Sequence, residues 1–370
     1  MTMTSKKPTF AVLGTGNSGQ TYAADITLKG YDVNLAELPA FSENLTAIEK
    51  AGGIALSGEA GSGFARLNMM TTDLGEAIKG VNVIIIGGSA FAHEPMCKAL
   101  MDRFEDGQYI LFTSNFGALR FRRWMAAVRS TVDVIPVETV SLLYATRATA
   151  PGTVSCFGIK ESLPTAALPA GRTRDFLKIV HPVFPQFTAA PNVWHTSIGN
   201  LNPIVHPPMV LFNAGRIEAT GGKGWNLYAE GATESVARVM EALDRDRMAL
   251  LERIGLKPLS FEDTFVKLYA AYGLGRETLS DTLRKSPIHS NPVMEAPDRI
   301  DTRYLSEDVP FGLATWSALG RLWGVKTPTI DATLTIASAM LGRDCFADGL
   351  SAEALGISHL APEAVAAFVE

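Results

Sequence analysis

The sequence predicts an α/β protein in which a doubly wound, mainly parallel sheet is followed by an all-α C-terminal domain. Three observations carry that prediction. Short apolar runs alternate with helix-like segments through the first half. A glycine-rich turn joins the first run to the first helix, and beyond about Pro191 only helical periodicity remains. A chain of 370 residues also exceeds one ordinary core, so we read two domains, 1–190 and 191–370, with the boundary region near 185 to 200.

Phe10-Ala11-Val12-Leu13 reads as the first strand, and a helix from Asn17 to Lys29 follows it, ending at Gly30. Tyr31 to Ala36 is the second strand, with Glu37 just beyond it. Phe41 to Ala51 reads as helix and closes on Gly52-Gly53. The run Val81 to Ile86 is the strongest buried strand and ends at Gly87-Gly88. A helix from about Glu94 to Phe104 precedes the strand Tyr109 to Thr113. Continuous apolar runs separated by helices describe a parallel sheet covered on both faces. From Val132 to Gly158 short strands follow one another, which suits the outer part of the sheet, and Leu163 to Arg172 reads as a surface loop. In the second half Met209 to Thr220, Ala232 to Ile254, Phe261 to Tyr272, Gly312 to Trp323 and Thr329 to Leu341 carry helical periodicity.

Composition narrows the function classes. A hydrophobic fraction of 47% with 19% charged residues is that of a globular enzyme, not a disordered or fibrous chain. The formal net charge is -5, and no stripe of Lys and Arg exists to hold nucleic acid. Cys97, Cys156 and Cys345 lie far apart, so neither a disulfide framework nor a metal site is expected. The start, MTMTSKKPTF, has no apolar run of signal-peptide kind, and no stretch reaches the roughly 20 apolar residues of a membrane span. The chain therefore reads as cytoplasmic, without membrane or nucleic-acid partners.

Gly14-Thr15-Gly16-Asn17-Ser18-Gly19 follows the first strand and opens the first helix. In a Rossmann-type turn the first glycine permits the bend, the second lets the backbone approach a pyrophosphate, and the third lets helix and strand pack closely. The helix N-terminus, Asn17 and Ser18 included, offers free N–H groups and partial positive charge. Glu37 ends the next strand, 18 residues beyond Gly19, where it would accept from the adenosine ribose and repel a 2′-phosphate. Leu38-Pro39-Ala40-Phe41 supplies no arginine, so NAD is preferred over NADP; the alternative for Glu37 is a solvated loop acid. Gly88 stands at the carboxyl edge of the sheet, where it passes the cofactor or merely ends a strand.

His206 lies in GNLNPIVHPPM, among prolines that can start a helix but not continue one, and just past the domain boundary it would face a cleft. On position alone a packed or capped histidine is the better reading. Arg303 and Asp308 stand five residues apart in the polar stretch before Gly312, compatible with a solvated loop and a capping acid.

Over nearly its whole length the chain resembles the octopine/nopaline (opine) dehydrogenase family. The likeness is carried by Gly14 to Gly19, Glu138-Thr139 within PVETVSLLYATR, and the N-P-x-x-H-P-P run with Asn213 and Gly215 after it. Arg303 to Leu313, with D-V-P-F-G-L, completes it. The fingerprint is shared by many dehydrogenases; the histidine and D-V-P segments are more specific. The resemblance implies a Rossmann domain followed by an all-helical one, and a reductive condensation of an amino acid with a 2-oxo acid using NAD(P)H. It implies His206 as catalytic acid/base, Asp308 as its carboxylate partner and Arg303 as a binder of substrate carboxylate. It sets Thr139 near substrate or cofactor, with Asn115 similarly placed, although the text around Asn115 departs from the family's. For Glu138, Thr139 and Asn115 the other reading is polar groups tied to backbone at a sheet end.

Ketopantoate reductases and related hydroxyacid dehydrogenases rely on a lysine near the start of the helical domain, and none stands between Pro191 and Ala219. The rival readings are a dehydrogenase of a simple 2-hydroxy acid or other alcohol, and a non-catalytic NAD(H) sensor, which would not need an acid/base pair. Trp225, Tyr228, Phe265 and Tyr269 are candidates for a substrate pocket or for core. The oligomeric state, a homodimer through the helical domain included, is open.

Overall fold

The computed structural model describes residues 7–275, 277–291 and 295–370. The opening residues read above for a signal segment, 1–6, lie outside the described residues. The chain divides into two compact units between Val193 and Trp194.

In the first unit β1 (Phe10–Leu13) leads through the glycine turn into α1 (Asn17–Leu28), then β2 (Val33–Ala36), α2 (Glu43–Ala51), β3 (Ile54–Gly58) and β4 (Gly63–Ala65). Next come β5 (Met69–Thr71), α3 (Leu74–Ile78), β6 (Val83–Ile86), α4 (Ala90–Lys98), β7 (Tyr109–Thr113), α5 (Gly117–Ala127) and β8 (Ile135–Thr139). The strands β5-β2-β1-β6-β7-β8 pair in parallel, the order of a doubly wound dinucleotide fold. All four residues of β1, β2 and β6 are buried, which is why these segments read as unbroken apolar runs. One face packs Leu13, Ile84, Ile86, Ile110 and Phe112 against Leu100, Phe104 and Phe121 from the α4 and α5 side.

The strands after β8 depart from expectation. β9 (Tyr144–Ala150) and β10 (Thr153–Ile159) do not extend the main sheet; they join β3 and β4 in a separate four-stranded sheet. The reason is a long-range pairing, β10 alongside β3, that local periodicity cannot encode. The predicted surface loop 163–172 is also corrected. It contains β11 (Leu163–Ala167), mostly buried, antiparallel to β8 and parallel to β12 (Phe187–Ala189) beyond α6 (Thr173–Val180). Pro164 lies opposite Val140, whose N–H donates to its carbonyl at 2.8 Å; the proline cannot return that bond, and the ladder with β8 ends there. The helix expected over 94–104 starts earlier, directly after Ser89, and gives way to turns beyond Lys98.

The second unit is helical, with no strand among its described residues. α7 (Val193–Ile198) opens it, followed by α8 (Asn202–Leu211), α9 (Ala214–Thr220) and α10 (Leu227–Gly231). Then come α11 (Glu234–Arg253), α12 (Phe261–Leu268), α13 (Leu279–Arg284), α14 (Arg303–Ser306), α15 (Thr315–Trp323) and α16 (Pro328–Leu341). α11 buries Val236, Met240, Leu243, Arg247 and Leu250, a stripe at helical spacing that packs on α8, α13, α15 and α16. Two details differ from the sequence reading. Pro207 and Pro208 lie inside α8 instead of ending it, and the chain breaks at Phe212-Asn213, so 209–220 is not one helix. The segment read as the start of the Gly312 helix is a π-helical turn, Val309–Ala314.

No described helix is long and apolar enough to cross a membrane.

Candidate active site

Each unit carries candidate site residues of its own, and each set is built locally. In the first unit Gly14 takes a φ of 110°, a conformation that favours glycine, as β1 turns into α1. A Cβ on Gly19 would fall 1.9 Å from the Gly14 carbonyl oxygen, so α1 can start against β1 only with glycine there. Over Gly16, by contrast, a Cβ would meet nothing within 4 Å. That open space faces the end of a helix that has no capping side chain and no acidic residue in its first turn. Backbone N–H groups and the helix dipole therefore remain for an anionic group, and the cradle fits a dinucleotide pyrophosphate.

The side chains of the fingerprint serve the cradle itself. Ser18 donates to the Gly87 carbonyl at 2.8 Å, and the Asn17 side-chain oxygen accepts from Ala148 N at 2.9 Å. Glu37 is buried, and its carboxylate accepts from Thr15 N at 2.8 Å, Thr15 Oγ1 at 2.9 Å and Leu38 N at 3.0 Å. It is thus no solvated loop acid; it ties the glycine turn to the end of β2. Gly88 lies under α4, where a Cβ would meet Ala92 Cβ at 2.6 Å. Arg103, remote in sequence, lines a pocket with Leu38, Pro39 and Asp73, so the region beyond Glu37 does hold an arginine that its immediate neighbours did not reveal.

At the far strands Thr139 is fully buried and its hydroxyl donates to the Ser141 carbonyl at 2.8 Å. The Glu138 carboxylate accepts from Ala118 N at 3.3 Å. Asn115 is buried in a run of three residues with positive φ, Ser114, Asn115 and Phe116, at 72°, 67° and 59°. Thr139 and Glu138 have the backbone ties that were the other reading for them. The strained run beside them had no signal in the sequence.

In the second unit His206 and Asp308, 102 residues apart, meet: Nδ1 lies 2.6 Å from Asp308 Oδ2, with both side chains buried. A carboxylate only accepts, so the neutral ring carries its proton on Nδ1 and leaves Nε2 as the basic nitrogen. Two features bring them together. His206 sits near the middle of α8, and Asp308 caps the π-helical turn, its carbonyl accepting from Leu313 N. Pro203, one turn before His206, lies against Gly312, where a Cβ would fall 2.2 Å from Pro203 Cγ. Arg303 opens α14, which packs on α8; its side chain is 56% exposed, and Nε lies 3.9 Å from Glu307.

Two neighbours were not tied to this pair in the sequence reading. Tyr304 places its ring 4.4 Å from the imidazole, centroid to centroid. Tyr228 places its hydroxyl 2.9 Å from His206 Nε2. Burial, together with Tyr304, Tyr269 and Asp308, pushes the Tyr228 hydroxyl well above its ordinary range, so it stays protonated. Tyr228 appeared only among aromatics of helical spacing, and nothing local distinguished it from core. Phe265 and Tyr269 pack with it around the His289 ring.

A glycine cradle for a dinucleotide and a buried histidine–carboxylate pair are the equipment of a pyridine-nucleotide dehydrogenase. The model of the NAD/NADP octopine/nopaline dehydrogenase alpha-helical domain matches residues 189–341. An opine dehydrogenase of Arthrobacter sp. (strain 1C) is 33% identical over 98% of this chain and 99% of its own. Among solved structures, an octopine dehydrogenase in complex with NADH and agmatine superposes with a TM-score of 0.78 at 18% identity, covering 97% of this chain and 98% of that one. A yersinopine dehydrogenase bound to NADP+ gives 0.71 at 16% identity, over 98% of each. The chain belongs to the opine dehydrogenase family. It is an oxidoreductase that acts on CH–NH bonds.

Proposed function

We propose that this enzyme reductively condenses the amino group of an amino acid with a 2-oxo acid, reversibly, with His206 and Asp308 as its acid/base pair and NAD as its preferred cofactor. The 2.6 Å contact between His206 Nδ1 and Asp308 carries the reading, because it fixes the ring proton on Nδ1 and leaves Nε2 as the nitrogen that can take up and return a proton. A neutral amine attacks the carbonyl carbon of the oxo acid to give a carbinolamine. Its oxygen must then gain a proton to leave as water, and the resulting imine is reduced to a secondary amine. His206 supplies and recovers the protons, and Asp308 steadies the imidazolium. The exposed Arg303 guanidinium holds a substrate carboxylate in two-pronged fashion. When bound, the reduced nicotinamide supplies the hydride.

Following NADH consumption tests this. Pyruvate alone should give no turnover, and pyruvate with a panel of amino acids should give it with at least one. Turnover with the oxo acid alone would replace the proposal by a simple 2-hydroxy acid dehydrogenase. His206→Ala should lower kcat by roughly 100-fold or more with NADH binding nearly unchanged, and full activity in that variant would end the assignment.

The preference for NAD rests on the Glu37 carboxylate, buried at the end of β2 and set to repel a 2′-phosphate. The ratio of kcat/KM for NADH over NADPH should exceed about 10, one decade being about 1.4 kcal/mol of discrimination. Equal values would show that Arg103 offsets Glu37.

A further inference from the structure

We propose that Tyr228 is a positioning residue for the acid/base pair: by donating its hydroxyl proton to His206 Nε2 it holds the imidazole neutral until a bound substrate offers that hydroxyl another acceptor. The inference rests on the acid/base reading of His206 and adds a device that reading does not contain.

The argument is one of hydrogen-bond satisfaction. With the ring proton on Nδ1 directed at Asp308, Nε2 is an acceptor, and the buried Tyr228 hydroxyl is the donor that meets it at 2.9 Å. Both ring nitrogens of His206 and the Tyr228 hydroxyl then have a partner. If Nε2 takes a proton, the tyrosine oxygen must accept from it and turn its own O–H elsewhere. Among the described residues that hydroxyl has no other acceptor, and a buried donor without a partner is costly. Asp308 favours the imidazolium and Tyr228 opposes it.

The remaining groups around the pair leave this balance in place. The Tyr304 ring lies against the imidazole, and Tyr269 packs on the far partner of Tyr228, the His289 ring. The His289 ring lies tilted against the Tyr228 ring, 4.9 Å between centroids, and engages Ser286 through Nδ1. Arg303 lies 3.9 Å from Glu307, and its charge also acts on Asp308 and Tyr228, which adds to the opposition to an imidazolium; Arg284 donates to the Ala229 carbonyl on α10.

The tyrosine is held for this task. Asn226 caps α10 by accepting from Ala229 N, and the Asn213 amide donates both to Met209 O on α8 and to Gly231 O on α10. Asn213 thereby clamps the helix of Tyr228 to the helix of His206. A substrate carboxylate or carbinolamine oxygen that accepts from Tyr228 removes the penalty, so proton uptake by His206 becomes linked to occupancy.

The test is a titration of the His206 ring in the full-length protein by 15N NMR, with the resonance assigned through His206→Gln. Tyr228→Phe should raise the midpoint by about one pH unit, the equivalent of one net hydrogen bond. The matching limb of the kcat/KM profile should move with it. Fluorotyrosine at position 228, a stronger donor of the same shape, should move the midpoint down, and it decides the matter if Tyr228→Phe does not fold. A midpoint unchanged or lowered in Tyr228→Phe, or raised by fluorotyrosine, overturns the inference. Full turnover in His206→Ala would instead overturn the acid/base reading beneath it.

Discussion

At the scale of single residues the roles divide by what each side chain can still offer. Asp308 spends its charge on His206, and Glu37 spends most of its acceptor capacity on Thr15 and Leu38. Arg303 keeps more in hand. At 56% exposure and 3.9 Å from Glu307 it is held loosely, as a group that binds a mobile carboxylate should be. Arg303→Ala should therefore raise KM for one carboxylate substrate by about 10- to 100-fold, the worth of a charge-assisted hydrogen bond, with a smaller effect on kcat. Steady-state kinetics with each substrate varied in turn will check it, and unmoved constants for both would exclude the clamp. His206, Asp308 and Arg303 were legible because their segments resemble those of a family. Tyr228 was not, since a tyrosine that meets a ring nitrogen 22 residues away leaves no local mark.

Among the elements, the contact between α8 and the π-helical turn fixes the separation of His206 and Asp308. A methyl group on Gly312 would sit 2.2 Å from Pro203 Cγ, deep in a packed contact, so one of the two elements must move. Gly312→Ala should cost about 1–3 kcal/mol of stability, as overpacked cores do, and should lower kcat more than it raises KM. Urea unfolding together with kinetics will show this; a variant of native stability and rate would mean that the close approach is dispensable. The π-helical turn itself had no signature, because DVPFGL reads as an ordinary helix start. The prolines misled for a related reason. Pro207 and Pro208 leave the carbonyls of Pro203 and Ile204 without in-helix donors, yet α8 continues to Leu211, held by burial of nearly all its residues.

For the molecule as a whole, two imidazoles whose burial disfavours a proton set a limit in acid. His93 is fully buried, neither ring nitrogen has a partner among the described residues, and burial, with Arg120 nearby, pushes its pKa well below the ordinary 6.5. Burial and Arg247 lower His195 in the same direction. For both, the folded state resists a proton that the unfolded chain accepts, so their contribution is complete above the unfolded pKa. It is lost as pH falls below about 6.5, by up to about 1.4 kcal/mol per pH unit for each histidine. The urea midpoint should drop between pH 7 and pH 5, and His93→Leu should flatten that drop. An equally steep loss in the variant would point to other groups.

The sequence by itself determined the alternation of buried strand and helix, the glycine turn between β1 and α1, and the helical character of the second half. Each of these depends on neighbours within a turn or a strand, where periodicity and steric demands are local. Tertiary structure decided the rest: the second sheet that draws β9 and β10 away from the first, the strand in place of a loop at 163–167, the arginine beside Leu38, and the tyrosine on His206. These are pairings between segments far apart in the chain. Their free energy comes from contacts that exist only once the backbone has folded.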